Sequence, residues 1–171
     1  MGKVEDGTAP SRALDSKEYP HISFFDMATQ DLRYASWDGT RWNTETLKTY
    51  WNVGRHSSLA IDNQNRPHIG CYVPTQQNLQ YATQDTASGS WAIQTIPEKW
   101  SFSGEDVKIA FDSAGHVGFV YYDRHIQLKF AQCAMAYFKQ TYLTQPHLRA
   151  PPVPAQGRRL PGEMIIANFF F

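Results

Sequence analysis

The sequence predicts an all-β protein made of a tandem repeat, on three observations. One set of sequence blocks recurs three times in the same order, spaced by 47 residues from Asp15 to Asp62 and by 50 from Asp62 to Asp112. The blocks are short and rich in β-branched and aromatic residues, the composition that favours strands. No segment carries the 3.6-residue apolar period of a helix.

The first block begins with a glycine followed six residues later by Ala-apolar-Asp: Gly7 to Ala13-Leu14-Asp15, Gly54 to Ala60-Ile61-Asp62 and Gly104 to Ala110-Phe111-Asp112. The second closes eleven residues after each of those aspartates, as YPHISFFD at Asp26, RPHIGCYV at Val73 and HVGFVYYD at Asp123. The third reads Leu32-Arg33-Tyr34-Ala35, Leu79-Gln80-Tyr81-Ala82 and Leu128-Lys129-Phe130-Ala131. The fourth opens on tryptophan in Trp42–Leu47 and Trp91–Ile96, and on Phe138 in the weaker third member ending at Leu143. Apolar and polar residues alternate within the blocks, as in Ile22 and Phe24 against Ser23, which places successive side chains on opposite sheet faces. Turn chemistry such as Asp62-Asn63-Gln64-Asn65 and Asp38-Gly39 bounds them. In each repeat the first aspartate stands where its carboxylate would accept bonds from backbone N–H groups of the following turn.

Four antiparallel strands per repeat, in tandem, describe β-propeller blades. A lone four-stranded sheet exposes two faces, and stacking blades buries both. Aromatic residues can then recur on both sides of a strand, as in Phe24-Phe25 and Tyr121-Tyr122. The repeats run over 7–47, 54–96 and 104–143, so residues 1–143 are expected to form a three-blade region. Residues 144–171, with five prolines and an apolar end, are expected to form a separate extended tail. Closed propellers use about four to eight blades. Three blades are therefore either a piece of a longer protein or half of a homodimer that would complete six blades.

Composition narrows the function classes. The 171 residues are 42% apolar and 14% aromatic, enough for one core. Sixteen basic and sixteen acidic residues cancel, favouring neither nucleic acid nor an anionic membrane as partner. No apolar run approaches the ~18 residues of a membrane span. The N-terminus lacks the apolar stretch of a secretory signal, so a complete chain would stay in the cytoplasm and one missing a leader would be secreted. Cys71 and Cys133 fit neither a disulfide framework nor a zinc site, and Cys71 is expected as a small buried hydrophobe. No cofactor motif and no metal-ligand set stands out.

The repeat Gly-x5-Ala-apolar-Asp-x4-Pro-His-Ile-Ser-aromatic-aromatic-Asp, followed by Leu-x-Tyr-Ala and Trp, resembles tandem propeller repeats of uncharacterised, often secreted, bacterial proteins. The resemblance covers residues 7–143 and implies the fold. Ser36-Trp37-Asp38-Gly39-Thr40-Arg41-Trp42 more weakly resembles the Asp-box turn of sialidases and related propellers, one residue short between Asp and Gly. That turn is structural even in enzymes. The sialidase family would also imply an arginine triad and a tyrosine–glutamate pair, and no arginine here recurs at one repeat position.

The residues singled out as ligand-binding are His21 and His68, which open the second strand, Asp26 and Asp123, which close it, and the loop tryptophans Trp37 and Trp51. Imidazoles can contact a sugar or a metal, and flat indoles stack on sugar rings. Trp42 and Trp91 are expected in the core. An Asp26–Asp123 pair would suit glycoside chemistry only at a suitable separation. No residue is assigned as catalytic. The expectation is a non-catalytic binding or scaffolding module for a glycan or small-molecule ligand, a glycan first, the alternative being a fragment of a sialidase-like glycoside hydrolase.

Overall fold

The computed structural model describes residues 7–47, 54–85, 87–96, 103–123, 128–134 and 137–143; for 7–8, 103–105, 123, 133–134 and 137–143 the description is of the backbone alone. Trp51 and the tail 144–171 lie outside the described residues.

Twelve strands form three antiparallel sheets of four, each in sequence order. Blade 1 holds β1 (Gly7–Leu14), β2 (Pro20–Asp26), β3 (Asp31–Trp37) and β4 (Trp42–Leu47). Blade 2 holds β5 (Arg55–Ile61), β6 (Pro67–Val73), β7 (Asn78–Gln84) and β8 (Trp91–Thr95). Blade 3 holds β9 (Ser103–Phe111), β10 (Val117–Asp123), β11 (Leu128–Ala134) and β12 (Tyr137–Leu143). Every sequence block is one strand.

The turns explain why the strands end where they do. Asp15 Oδ1 accepts from the N–H groups of Lys17 and Tyr19, Asp62 Oδ1 from Gln64 and Arg66, and Asp112 Oδ1 from Ala114 and His116, all at 2.8–2.9 Å. Burial pushes these carboxyls upward, but the N–H donors outweigh it and hold all three below the usual aspartate value. Asp38 and Asp85 cap the β3–β4 and β7–β8 turns in the same manner. A second device also repeats. Ala9, His56 and Asp106 occupy equivalent places in the first strand of each blade and all have positive φ, at 51, 55 and 50°. Each lies where the register with the second strand shifts. The same bulge three times over belongs to the blade, since non-glycine residues enter this region only where the surroundings impose it.

Register assigns the faces. Ser23 pairs with Tyr34 and Phe25 with Leu32 on one face of blade 1, whereas Phe24 pairs with Arg33 and Ile22 with Ala35 on the other. Leu32, Tyr34 and Leu47 pack against Leu59, Ile69, Cys71, Val73 and Ala82 of blade 2. On the far face of blade 2, Leu79, Tyr81 and Ile96 pack against Val107, Val117, Phe119, Tyr121 and Ala131 of blade 3. Blade 2 thus offers one face to blade 1 and the other to blade 3. Cys71, 1% exposed, is the small hydrophobe expected, and burial pushes its thiol up to about 12. The first strands also join blade to blade: the Leu59 N–H donates to Ser11 Oγ (2.9 Å) and the Ile109 N–H to Ser58 Oγ (3.1 Å).

Candidate binding site between blades 1 and 2

The antiparallel order puts the first-to-second and third-to-fourth strand turns at one end of the blades and the second-to-third turns at the other. The singled-out residues divide between these ends. His21, His68 and Trp37 belong to the first; Asp26 and the backbone of Asp123 belong to the second. They do not form one cluster.

His21 and His68 do the same work in successive blades. His68 Nδ1 lies 2.5 Å from the Tyr81 hydroxyl and Nε2 lies 3.2 Å from Asp62 Oδ2, which also binds Arg66 Nε at 2.6 Å. His21 Nδ1 is hydrogen-bonded to the Tyr34 hydroxyl, and Nε2 sits 3.6 Å from Asp15 Oδ2. Both rings are buried, at 8 and 6% exposure. Burial lowers both imidazoles below their ordinary value against the pull of the aspartates. They are therefore neutral at pH 7, a state in which Nδ1 accepts from tyrosine and Nε2–H faces the carboxylate. The third blade has no such pair. Gly118 replaces the histidine and Phe130 the tyrosine, and a Cβ on Gly118 would lie 3.0 Å from the Phe130 ring.

Asp26 accepts from the Ala28 and Thr29 N–H groups and from Arg33 Nη1 at 3.0 Å. The Arg33 bond foremost, with the turn N–H groups, holds its carboxyl below the usual value. Its lone pairs are largely committed to closing the β2–β3 turn. The side chain of Asp123 is outside the described residues. Trp37 packs on its cross-strand partner Trp42, ring centroids 5.8 Å apart. Trp42, expected in the core, is half-buried on the face of blade 1 that has no blade against it. Trp91, its counterpart in blade 2, does pack against the core cluster between blades 1 and 2.

The structure also assembles a group that motif reading passes over. Glu45 on β4 reaches across to blade 2, where Trp91 Nε1 donates to Oε2 at 2.9 Å and Gln84 Nε2 stands 3.4 Å from both carboxylate oxygens. The Tyr34 ring meets the Trp91 ring edge-on at 5.1 Å, completing a line from Asp15 through His21, Tyr34 and Trp91 to Glu45. Burial foremost, then the Glu45 charge, raises the Tyr34 hydroxyl far above its ordinary value, so it stays protonated. Glu45, Gln84 and Trp91 are all half-exposed. A carboxylate, an amide and an indole from two blades thus line one partly open junction. The available signal was phase: Glu45 lies two residues before buried Leu47 and so shares its inward face. Among the described residues no group of three or more His, Cys, Asp or Glu side chains is arranged to hold a metal ion.

No family model matches this chain, and no curated protein sequence does, so neither the bacterial-repeat nor the Asp-box resemblance gains support there. Solved structures do match. A fucose lectin from Kordia zhangzhouensis, in complex with methyl-fucoside, is 14% identical with a TM-score of 0.50, covering 77% of this chain and 96% of that one. The Aleuria aurantia lectin in complex with alpha-methyl-L-fucoside is 13% identical with a TM-score of 0.58, covering 82% of this chain and 46% of that one. AofleA from Arthrobotrys oligospora is 11% identical with a TM-score of 0.58, covering 78% and 41%. The fold is a β-propeller type. The chain spans almost all of the Kordia lectin but less than half of the Aleuria and Arthrobotrys proteins.

Proposed function

We propose that this protein is a non-catalytic carbohydrate-binding module of propeller type. The observation that carries the reading is the junction of blades 1 and 2, where Glu45, Gln84 and Trp91 meet half-exposed. A sugar ring needs directional acceptors and donors for its hydroxyls and a flat apolar surface for its C–H face. The three side chains supply both. Their bonds to one another hold the carboxylate and amide in place before a ligand arrives, which lowers the ordering cost of binding. His21 would shape this junction from behind through Tyr34, whereas Trp37, paired with Trp42 on the opposite face of blade 1, is assigned no contact to this ligand. His68 would do for the next junction what His21 does for this one. Asp26, Asp123 and Trp51 are assigned no contact to this ligand. Two of the structural neighbours are a fucose lectin in complex with methyl-fucoside and a lectin in complex with alpha-methyl-L-fucoside, which makes 6-deoxyhexosides the first ligands to test.

The test is a glycan array followed by calorimetry with methyl α-L-fucoside, using the wild type and Glu45→Gln. Saturable binding that weakens about tenfold or more in Glu45→Gln, which loses a charged acceptor worth roughly 1.5–3 kcal/mol, supports the reading. Absence of binding across the array, or binding indifferent to Glu45, refutes it. A fluorogenic glycoside assay run alongside addresses the hydrolase alternative: turnover abolished by Asp26→Asn would favour it.

A further inference from the structure

The structural carboxylates of the blades are matched in two ways. Asp26 and Asp62 each hold an arginine, Arg33 at 3.0 Å and Arg66 at 2.6 Å. Asp15, Asp62 and Asp112 are caged by N–H groups of their own turns. Glu45, half-exposed, has neither. Its donors are two neutral side chains of the next blade, the Trp91 indole at 2.9 Å and the Gln84 amide at 3.4 Å. Among the described residues no arginine, lysine or histidine nitrogen lies within ion-pair distance of it. Arg41, at the same end of blade 1, is taken by Asp38 at 3.5 Å.

The two oxygens of Glu45 are also unequally used. Trp91 Nε1 bonds Oε2. Oε1 has only the contact at 3.4 Å with Gln84 Nε2, longer than an ordinary N–H···O bond. That amide nitrogen makes its shorter bond, 3.0 Å, to the Gly89 carbonyl. A carboxylate can accept at about four lone-pair positions, so most of the capacity of Oε1 is open toward the half-exposed junction. The surroundings do not offset the charge. Behind Glu45, Asp15 adds a second carboxylate, and the His21 ring between them is neutral. After burial, the charges of Glu45 and Asp15 both push the Tyr34 hydroxyl upward, which gives the field at the back of the junction its negative sign.

We infer that the junction of blades 1 and 2 selects its sugar by charge: a sugar bearing an ammonium group is taken in preference to its N-acetylated counterpart, and a carboxylated sugar is rejected. The inference rests on the glycan reading of this junction and adds to it the sign of the ligand. An ammonium brings three donors and no acceptor. One of them on Oε1 replaces the long amide contact with a charge-assisted bond, roughly twice as strong as a neutral one. The Gln84 carbonyl, its amide nitrogen anchored on Gly89, offers a second acceptor beside it. A hydroxyl can make the same contacts without the charge. An acetamide offers one N–H and has no charge to match, and a sugar carboxylate meets like charge at close range.

Calorimetry compares methyl α-L-fucoside with analogues that carry an amine at carbon 2, 3 or 4 in turn, each beside its N-acetyl form, and with a methyl uronide. The wild type should bind at least one amino isomer about tenfold more tightly than its N-acetyl form. The advantage should shrink between about 0.01 and 1 M salt, as an ion pair open to solvent requires. The uronide should not bind. In Glu45→Gln the amine and its N-acetyl form should bind alike. Gln84→Lys sets an ammonium of the chain itself beside the same carboxylate and should abolish the preference too, with far-UV spectra confirming that both variants fold. Fucoside binding with no preferred amino isomer, a preference that survives both substitutions, or one indifferent to salt would overturn the inference and leave the glycan reading in place. Displacement of the amino sugar by an equal concentration of methylammonium chloride would overturn it as well, because the ring would then go unread. Absence of binding by every sugar would overturn both readings.

Discussion

Substituting Gly70 tests how tightly neighbouring blades fit. A Cβ on Gly70 would lie 3.0 Å from both Cδ1 and Cε1 of Phe119 and 3.1 Å from Val107 Cγ2. Phe119 cannot retreat: it is 0% exposed and its ring is fixed edge-on by Tyr81 at 5.4 Å. Overpacking of this kind costs about 1–3 kcal/mol. At about 2–4 °C per kcal/mol for a chain of this size, Gly70→Ala should melt roughly 2–12 °C lower. The first junction shows the cure, since Ser23 there has a Cβ and the facing residue, equivalent to Phe119, is Ile69. Phe119→Ile alone should also destabilise, by opening space. Gly70→Ala/Phe119→Ile should recover about 1–3 kcal/mol relative to the sum of the single changes. Urea unfolding followed by far-UV circular dichroism gives the free energies, with the denaturant slope confirming a common unfolding reaction. Neutral Gly70→Ala, or costs that simply add in the double variant, would refute this account of the junction.

Acidification should act in two separate windows. The buried His21 and His68 have folded values lowered below about 6.5, so the unfolded chain takes protons first, and stability is full above pH 6.5 and declines as pH falls from there toward the folded values. Asp15, Asp62 and Asp112 have values below 3.8, so their contribution persists until pH drops beneath about 3.8 and is lost as it falls through the folded values. Urea midpoints at pH 7.5, 5.5 and 4.5 measure the first window, which His68→Gln should flatten. Asp112→Ala, which frees the Ala114 and His116 N–H groups, should cost about 0.5–2 kcal/mol by analogy with a lost helix cap, read from the same denaturation curves.

The blades were legible in the sequence because their determinants are local. An aspartate that binds the N–H groups two and four residues on needs nothing from elsewhere, and its turn sets the register of the strands it joins. The junction site was not legible for the converse reason. Glu45 sits in Asn43-Thr44-Glu45-Thr46, which reads as a solvated strand, and its partner Trp91 lies 46 residues away on another blade. Trp42 and Trp91 look interchangeable by position, yet among the described strands only Trp91 has a blade against it, so a shared motif led to two partly exposed indoles of which one packs on a core cluster. His21 and His68 looked like residues free to meet a ligand. What marked them as structural was their constant separation of thirteen residues from Tyr34 and Tyr81, a pairing visible in the sequence once the strand order is known.

That pairing also changes how the third repeat is read. In isolation, the loss of Pro-His and the change of tyrosine to Phe130 look like decay. Taken together they are one coordinated replacement: removing the imidazole without the hydroxyl would leave a buried phenol to satisfy, and removing the hydroxyl without the imidazole would strand Nδ1. Gly118 and Phe130 remove both, and the Phe130 ring closes on the glycine. The departure of the third repeat from the other two is therefore one matched pair of changes, not the loss of a single partner.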